Sequence, residues 1–171
     1  YTTGNTLSLH DALPISTLLE QLGMASSSWQ RRSKGKDMKG RALARLKRYE
    51  TTLENLKPFM EDDEPHRIIV FTSFECNVKP LYLLLNKALG TEVEVFMLHA
   101  EIPWREREKA AFGFQECPGS AVLISDELGG EGRNFQFADA VFHFDLPLAA
   151  WMVEQRIGRL DRVGRDAMLD V

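Results

Sequence analysis

The sequence predicts an α/β fold, a three-layer α/β/α sandwich around a mainly parallel sheet, because apolar runs of strand length alternate with amphipathic helical stretches. The run RIIVFTS at 67–73 has the continuous apolar character of a strand buried on both faces. A helix follows it, with Pro80 in the first turn and Gly90 after the last apolar position. Ligands of such sheets bind at the carboxyl ends of the strands. The same alternation predicts strands at 92–98, 121–125 and 140–147 and helices from 37 to near 58, at 102–114 and at 148–160.

The first sixteen residues are expected to be foreign to the protein. The stretch TLSLHDALPI, Thr6 to Ile15, has neither helical nor strand periodicity, and one reading frame of a widely used sequencing adapter encodes the same residues. We therefore predict that 1–16 is an artefact, that 17–35 is a connector and that 36–171 is the folded domain. On this interpretation the natural chain starts further upstream, and the apolar ending MLDV indicates that the domain is also cut short at its C-terminal end.

Composition and charge limit the possible classes of function. The 171 residues are 44% hydrophobic, enough for one buried core, and the formal net charge of −4 argues against a polyanion-binding surface over the whole domain. Positive charge is concentrated between Arg31 and Arg48, which predicts either a phosphate-contacting patch or a solvated helix face. Cys76 and Cys117 lack the spacing of a zinc site or a disulfide framework. Without an apolar run of membrane-spanning length or a signal peptide, we expect a soluble, cytoplasmic protein with no membrane partner.

The stretch EQRIGRLDRVGR at 154–165 carries three polar side chains on one helical stripe. At about 100° per residue, Gln155, Arg159 and Arg162 fall within a sector of roughly 60°, and the apolar positions 153, 157 and 160 lie on the other side. One face is therefore expected to pack against the domain while the other presents cations. A solvated helix face is the alternative, and periodicity alone leaves both interpretations open.

A glycine-rich loop, SDELGGEGRNFQF at 125–137, follows the strand predicted at 121–125. Its glycines, Gly129, Gly130 and Gly132, permit positive φ angles and a close approach of the backbone to a phosphate or a ribose. The dinucleotide-binding pattern fails because Phe135 stands where its last glycine is needed. No Gly-Lys-Ser/Thr follows, as a phosphate-binding P-loop requires. A tight structural turn is the alternative.

In their order along the chain, these segments resemble the helicase motifs of superfamily 2. The stretch VLISDELGGEGRNFQFADAVFHFDLP followed by EQRIGRLDRVGR is similar to motifs V and VI of Swi/Snf-type ATPases, and most similar to the form in their bacterial, RNA-polymerase-associated members. IIVFTSF at 68–74 is similar to motif IV, and the segment 98–114 carries Arg107 at the position of the family's usual arginine. The resemblance covers residues 66–167 in the family's order.

The resemblance implies a RecA-like second helicase lobe with a P-loop NTPase-type fold, which binds ATP in the cleft that it forms with an N-terminal ATPase lobe. Two motif VI arginines of the family reach the γ-phosphate held by the other lobe; they match Arg159 and Arg162, and Gln155 matches the leading glutamine. A guanidinium supplies the permanent, fork-shaped cation that phosphoryl transfer requires.

The resemblance also implies contacts at the ends of the predicted strands. For the hydroxyls among them, hydrogen bonding at the strand end is the alternative. The implied nucleotide contacts are Gly130, Glu131, Gly132 and Asn134, and the implied contacts to nucleic-acid phosphates are Thr72, Ser73 and Ser125.

The implied function is ATP-dependent movement on double-stranded DNA, coupled to remodelling of protein–DNA complexes. The implied cofactor is ATP with Mg²⁺, held mainly by the N-terminal lobe, whose Gly-Lys-Thr loop and acidic motif do not occur in this sequence. The 171 residues alone are therefore expected not to hydrolyse ATP. The implied partners are double-stranded DNA, the N-terminal ATPase lobe, and RNA polymerase or another DNA-bound protein, in the nucleoid-associated cytoplasm of a bacterium.

Two other functions stay open. A helicase of the same superfamily would separate strands, and a stand-alone lobe would bind nucleic acid or a protein through the basic segment without ATPase activity. Asp161 and Arg165 depart from the eukaryotic Swi/Snf pattern, which weakens the case for a chromatin substrate.

Four further side chains are assigned no functional role. His99 and His143 do not belong to a set with metal-ligand spacing, so we predict no metal site. Phe74 and Trp104 have apolar neighbours and are expected to pack in the core rather than stack on bases.

Overall fold

The computed structural model describes residues 37–60 and 64–161, in which strands and helices alternate as the sequence predicts. The predicted segments 1–16 and 17–35 lie outside the described residues, as do the last ten positions. None of the described helices is both long and apolar enough to cross a bilayer. The elements in chain order are α1 (Asp37–Met60), β1 (Arg67–Thr72), α2 (Glu75–Ala88), β2 (Glu94–Leu98), α3 (Trp104–Glu116), β3 (Ala121–Asp126), β4 (Ala140–His143) and α4 (Ala150–Ile157).

The strands form one parallel sheet in the order β2-β3-β1-β4, so that β1 and β3 lie in the middle and are buried almost throughout. Because all strands run in one direction, their carboxyl ends align. Thr72 at the end of β1 lies opposite Asp126 of β3, and Phe71 lies opposite His143 of β4. The segments that follow β1, β3 and β4 therefore begin side by side at one end of the sheet.

Helices cover both faces of the sheet, which confirms the predicted three-layer sandwich. Alternate residues of β1 point to opposite faces, as strand geometry requires. Ile68 and Val70 belong to the core under α1 and α2, whereas Ile69 and Phe71 belong to the core under α3. Members of the first core include Tyr49, Leu56, Val78, Leu81 and Leu85, and members of the second include Phe114, Phe135, Ala138 and Leu160.

The boundaries of β4 and α4 differ from the predicted ones where the site is formed. β4 ends at His143 rather than near 147, because Asp145 turns its carboxylate toward the end of β1. Helix α4 ends at Ile157, and Arg159 lies in the turn that follows. At the first helix the difference is small, since α1 continues past the predicted stop at Pro58 to Met60.

The prediction that Phe74 and Trp104 pack in the core is wrong. Phe74 is 59% exposed and Trp104 is 65% exposed. Both stand where a helix starts: Phe74 is the N-cap of α2, and Trp104 is the first residue of α3. Apolar neighbours in the sequence therefore do not bring these side chains inside, because the core under each helix is made by residues further along it, such as Val78 and Phe114.

Candidate functional site

The candidate site is formed where β1, β3 and β4 end, by the loops that follow them and by the turn after α4. Arg159 is the central side chain. It is only 7% exposed, and its Cζ atom lies 6.0 Å from the centroid of the Phe71 ring. Its Nη1 atom is buried and has no hydrogen-bond partner in the described part of the chain. A solvated helix face therefore does not describe Arg159.

Arg159 lines an open cavity of about 300 Å³. Burial lowers the pKa of Arg159 from its usual value, while the carboxylates of Glu127 and Glu131 act in the opposite direction. An arginine nevertheless stays protonated in proteins, so the cavity faces a permanent cation. The other lining residues are Glu131, Gly132, Arg133, Gln155 and Gly158.

The structure thus brings Arg159 together with Gln155, Glu131 and Gly132 at one cavity, and that these residues contact a nucleotide stays a prediction. Arg162 lies outside the described residues. Asn134 is exposed and lies in a local turn, where its Nδ2 donates to Gln136 Oε1 at 3.0 Å.

A larger cavity of about 520 Å³ lies on the α3 side of the glycine loop. Asn134 lines this cavity, together with the exposed Trp104 and with Arg107. Arg133 is not a spare cation at either cavity, since its Nη2 pairs with Glu108 Oε1 at 2.6 Å.

The glycine loop packs so closely that side chains would not fit at two of its positions. A Cβ atom on Gly130 would lie 2.6 Å from Arg159 Nη1, and one on Gly129 would lie 2.6 Å from the carbonyl of Leu98. Gly132 has a φ of 70°, the left-handed conformation that favours glycine. The loop is therefore shaped around the Arg159 guanidinium on one side and the end of β2 on the other.

Replacing Gly130 with alanine is expected to displace Arg159 and leave the fold intact. The guanidinium is the end of a flexible side chain and can yield, although Ser125 Oγ would also lie 3.1 Å from the new Cβ. We expect a stability loss of about 1–2 kcal/mol and a loss of about tenfold in Arg159-dependent triphosphate binding, measured by calorimetric titration. Gly119→Ala, whose Cβ would meet only Glu92 O at 3.9 Å, is the matched control. Unchanged binding by Gly130→Ala would contradict the expectation.

Arg156 is the residue that sequence reasoning missed. It is completely buried, and it connects the segments after all three strand ends. Its Nε and Nη2 donate to Glu127 Oε1 at 2.8 and 2.5 Å, its Nη1 donates to the carbonyl of Asp145 at 3.0 Å, and its Nη2 also donates to Ser73 Oγ at 2.9 Å. The sequence does contain an indication that Arg156 faces inward. Met152 and Leu160, four residues before and after it, are both apolar and lie on the same side of a helix.

The three hydroxyls predicted to contact phosphate lie in different surroundings. Thr72 is completely buried, and its hydroxyl donates to Asp145 Oδ2 at 2.6 Å and accepts from Asn77 Nδ2 at 3.0 Å. Ser125 is also buried and donates to the carbonyl of Asp126. Both show the strand-end hydrogen bonding that the sequence left as the alternative. Only Ser73 is partly exposed.

His143 accepts rather than donates at this site. Arginine has only donors, so the 3.1 Å contact from Arg156 Nη1 requires a lone pair on His143 Nδ1. Burial, and then the positive charge of Arg156, lower the pKa of His143 below its usual 6.5. The neutral imidazole is therefore the form that fits the folded structure.

This lowered pKa makes stability depend on pH with a defined sign. The unfolded chain takes up the His143 proton below about pH 6.5, whereas the folded chain resists it. The contribution of His143 to stability is therefore complete above pH 6.5 and is lost as the pH falls through the folded-state pKa. We expect urea unfolding to show a larger loss of stability between pH 7.5 and 5.5 in the wild type than in His143→Asn, which keeps an acceptor but does not titrate. Equal losses would show that another group is responsible.

Histidine at the end of β2 lies near two carboxylates. His99 Nδ1 is 3.5 Å from Glu75 Oε1, and ligand atoms of Glu75, His99 and Glu101 lie within 4.8 Å of one another. Both glutamates are exposed, and exposed acidic groups are common without an ion. That neither His99 nor His143 binds metal stays a prediction.

Comparisons with known proteins agree with this geometry. Residues 48–166 match the family described as the helicase conserved C-terminal domain. The RNA polymerase-associated protein RapA of Vibrio atlanticus (strain LGP32) is 42% identical over 113 residues, which is 66% of this chain and 12% of that protein. RapA of Proteus mirabilis (strain HI4320) is 36% identical over 124 residues, 72% of this chain and 13% of that protein. The chain thus spans about an eighth of the length of these relatives.

Solved structures show the same fold. Domain 2 of the DEAD-box helicase Mss116p, bound to an RNA duplex, superposes with a TM-score of 0.61 at 17% identity, covering 74% of this chain and 49% of that one. The C-terminal part of the Fun30 ATPase domain superposes with a TM-score of 0.58 at 21% identity, covering 72% of this chain and 38% of that one. These likenesses confirm the RecA-like fold, and the match over 48–166 confirms the family. The chain belongs to the helicase conserved C-terminal domain family of superfamily 2 and is related to the RapA proteins.

Proposed function

We propose that this chain is the second lobe of an ATP-dependent translocase that moves on double-stranded DNA and remodels protein–DNA complexes. The observation that carries the proposal is Arg159, a buried guanidinium at an open cavity, whose Nη1 atom no described residue pairs with. A buried cation without a complete set of partners is costly, so an anion that completes it would be bound favourably. Gly132 lines the same cavity, and among the described residues no atom beyond its chain neighbours lies within 4 Å of where its Cβ would be, so the backbone leaves room for a phosphate there.

In this proposal the N-terminal lobe and Mg²⁺ hold the triphosphate, and lobe closure brings Arg159 to the γ-phosphate. Negative charge is spread over the γ-phosphoryl oxygens in the transition state, and a preorganised guanidinium stabilises it there. Arg162 would supply a second cation on the same stripe. Glu131 and Gln155 would contact the rest of the nucleotide or its water from the cavity wall.

The proposed contacts to DNA lie at the end of β1 and along α1. Ser73 is partly exposed, and its hydroxyl hydrogen is not needed for the bond that it accepts from Arg156. Thr72 and Ser125 would first have to leave their buried hydrogen bonds. Lys47 and Arg48 are exposed and end the basic segment that starts at Arg31, of which 31–36 lies outside the described residues.

RNA polymerase is the proposed protein partner of the intact molecule. The relatives' name, RNA polymerase-associated protein, supports this choice. The site of action that we propose is the bacterial cytoplasm, near the nucleoid. Another DNA-bound protein is the alternative partner, and co-purification of the intact protein with RNA polymerase distinguishes the two.

The test is phosphate binding that depends on Arg159. The chain, labelled with ¹⁵N at arginine side chains, is titrated with inorganic tripolyphosphate at low salt, and the Nε–H signal of Arg159 is followed by NMR. We expect this signal to move and the heat of binding to disappear in Arg159→Ala. Arg105→Ala, which removes an exposed arginine on α3, is the matched control and should bind as the wild type does. An Arg159 signal that tripolyphosphate does not move would overturn the proposed role.

A second titration separates the rival functions. A short DNA duplex is added to the chain, and binding is measured by fluorescence anisotropy at several salt concentrations. Binding that is lost in Lys47→Gln/Arg48→Gln but not in Arg159→Ala, together with no response to tripolyphosphate, favours a stand-alone binding lobe. Strand displacement by the intact protein would favour the helicase alternative.

A further inference from the structure

Arg156 and Arg159 lie in the same small region of the domain but differ in their hydrogen bonding. The Cζ atoms of Arg156 and Arg159 lie 5.5 and 6.0 Å from the centroid of the same Phe71 ring. Arg156 has hydrogen-bond partners in three separate segments, whereas Nη1 of Arg159 is buried and has no partner among residues 37–60 and 64–161. This difference in hydrogen bonding depends on which of the two arginines pairs with the nearby carboxylate.

That carboxylate belongs to Glu127, directly after β3. Its Oε1 accepts two hydrogen bonds from Arg156, and its Oε2 is buried with no partner among the described residues. Both guanidiniums pack against the Phe71 ring, and burial lowers the pKa of Arg159 while Glu127, more than any other carboxylate, acts to raise it, so Glu127 attracts Arg159 as well. One carboxylate therefore has two cations within its field and binds only one of them.

We propose that Arg156 is a positioning residue that occupies Glu127 and thereby keeps the Arg159 guanidinium available for a phosphate. The inference rests on the proposed function, since it gives Arg159 an anion to receive. If Glu127 paired with Arg159 instead, the phosphate would have to displace a buried carboxylate before it could bind. Arg156 prevents that pairing because it satisfies the carboxylate first.

The other contacts of Arg156 explain why it holds its place. Ser73 Oγ accepts a hydrogen bond from Arg156 Nη2, and the carbonyl of Asp145 and His143 Nδ1 both accept from Arg156 Nη1. These three groups lie after β1 and at or after the end of β4, so the guanidinium is also held from β1, which neighbours β3, and from β4, on the far side of β1. Glu127 cannot draw Arg156 away from them, and the loop carrying Glu127 is itself tied by Gly129 N, which donates to Asp126 Oδ1 at 2.5 Å.

The decisive experiment is a rescue by a second mutation. Tripolyphosphate binding is measured for Arg156→Gln, which should free Glu127 to pair with Arg159, and for Arg156→Gln/Glu127→Gln, which removes the competing carboxylate. We expect the single variant to bind at least tenfold more weakly than the wild type and the double variant to recover to within threefold of it. Arg156→Gln/Glu116→Gln carries the same net charge change at an exposed carboxylate of α3 and should not recover. A double variant that stays as weak as Arg156→Gln would overturn the inference.

A direct measurement covers the case in which binding is too weak to quantify. In Arg156→Gln the Nε–H signal of Arg159 should shift and exchange more slowly with water as it pairs with Glu127, and Glu127→Gln in the same background should reverse both changes. An Arg159 signal that is the same in the wild type and in Arg156→Gln would also overturn the inference.

If Arg156→Gln fails to fold, tripolyphosphate binding by Arg156→Lys tests the inference instead. A lysine keeps a cation beside Glu127 but loses the fork that binds Ser73 and Asp145, so binding within threefold of the wild type is expected. A tenfold loss in a folded Arg156→Lys would show that shape matters rather than the occupation of Glu127. Failure of the proposed function looks different, because wild type and Arg159→Ala would then respond to tripolyphosphate in the same way.

Discussion

Replacing Arg159 with alanine in an intact two-lobe ATPase that contains this chain is expected to slow ATP hydrolysis by about 10³- to 10⁵-fold. The change corresponds to roughly 4–7 kcal/mol of transition-state stabilisation. The expectation follows from the surroundings of Arg159, which is nine-tenths buried at the cavity and whose Nη1 atom has no partner within the part of the chain that the structure describes. A cation that is already desolvated and aimed acts on the developing charge without a cost of reorganisation.

The measurement is kcat for ATP hydrolysis at saturating ATP and DNA, with circular dichroism to show that the variant is folded. Arg159→Lys is informative, because it keeps the charge and loses the two-pronged geometry, and we expect it to recover only part of the rate. Arg105→Ala is the control for the loss of a positive charge from this lobe. A kcat within threefold of the wild type for Arg159→Ala would exclude a role of this residue in stabilising the γ-phosphate in the transition state.

The largest effect on stability is expected for Gly129→Ala. A Cβ atom at this position would lie 2.6 Å from both the carbonyl carbon and the oxygen of Leu98 and 2.8 Å from His99 N. These are backbone atoms at the end of β2, so they cannot yield as a flexible side chain can. The loop is also held by the bond from Gly129 N to Asp126 Oδ1. We expect a loss of about 3 kcal/mol, the upper part of the usual range for overpacking.

Thermal unfolding provides the check. For a chain of this size, that loss lowers Tm by roughly 6–12 °C. Gly119→Ala, with its nearest atom at 3.9 Å, should stay within about 2 °C and serves as the control. A Gly129→Ala variant that melts with the wild type would mean that the loop shifts away from β2 without loss of packing.

The strand pattern and the motifs predicted the fold and much of the site. Apolar runs located all four strands, and the helical spacing put Gln155 and Arg159 on one stripe, which the structure brings to one cavity. These are local features, since periodicity depends on residues a few positions apart. The position of Gly130 against Arg159 could be predicted only as a permissive glycine, because the contact joins two loops that are distant in the sequence.

The contacts of Arg156 and Thr72 could not be predicted from periodicity. Arg156 lies in the same polar stretch as Arg159, yet its partners come from positions 11 to 83 residues away. Thr72 ends a strand as expected, but its burial depends on Asp145, which reaches it from the end of β4. Both cases arise because parallel strands bring together segments that the chain order separates.

The buried hydrogen bonds of Arg156 have a consequence for how the lobe opens. Breaking any one of the contacts to Glu127, Ser73 or Asp145 leaves a charged group or a polar atom unsatisfied in the interior. The loops after the three strands therefore have no low-energy way to fray one at a time. Local unfolding of this end of the domain should be a single cooperative event, in which backbone amides of all three loops exchange their hydrogens with one shared free energy of opening.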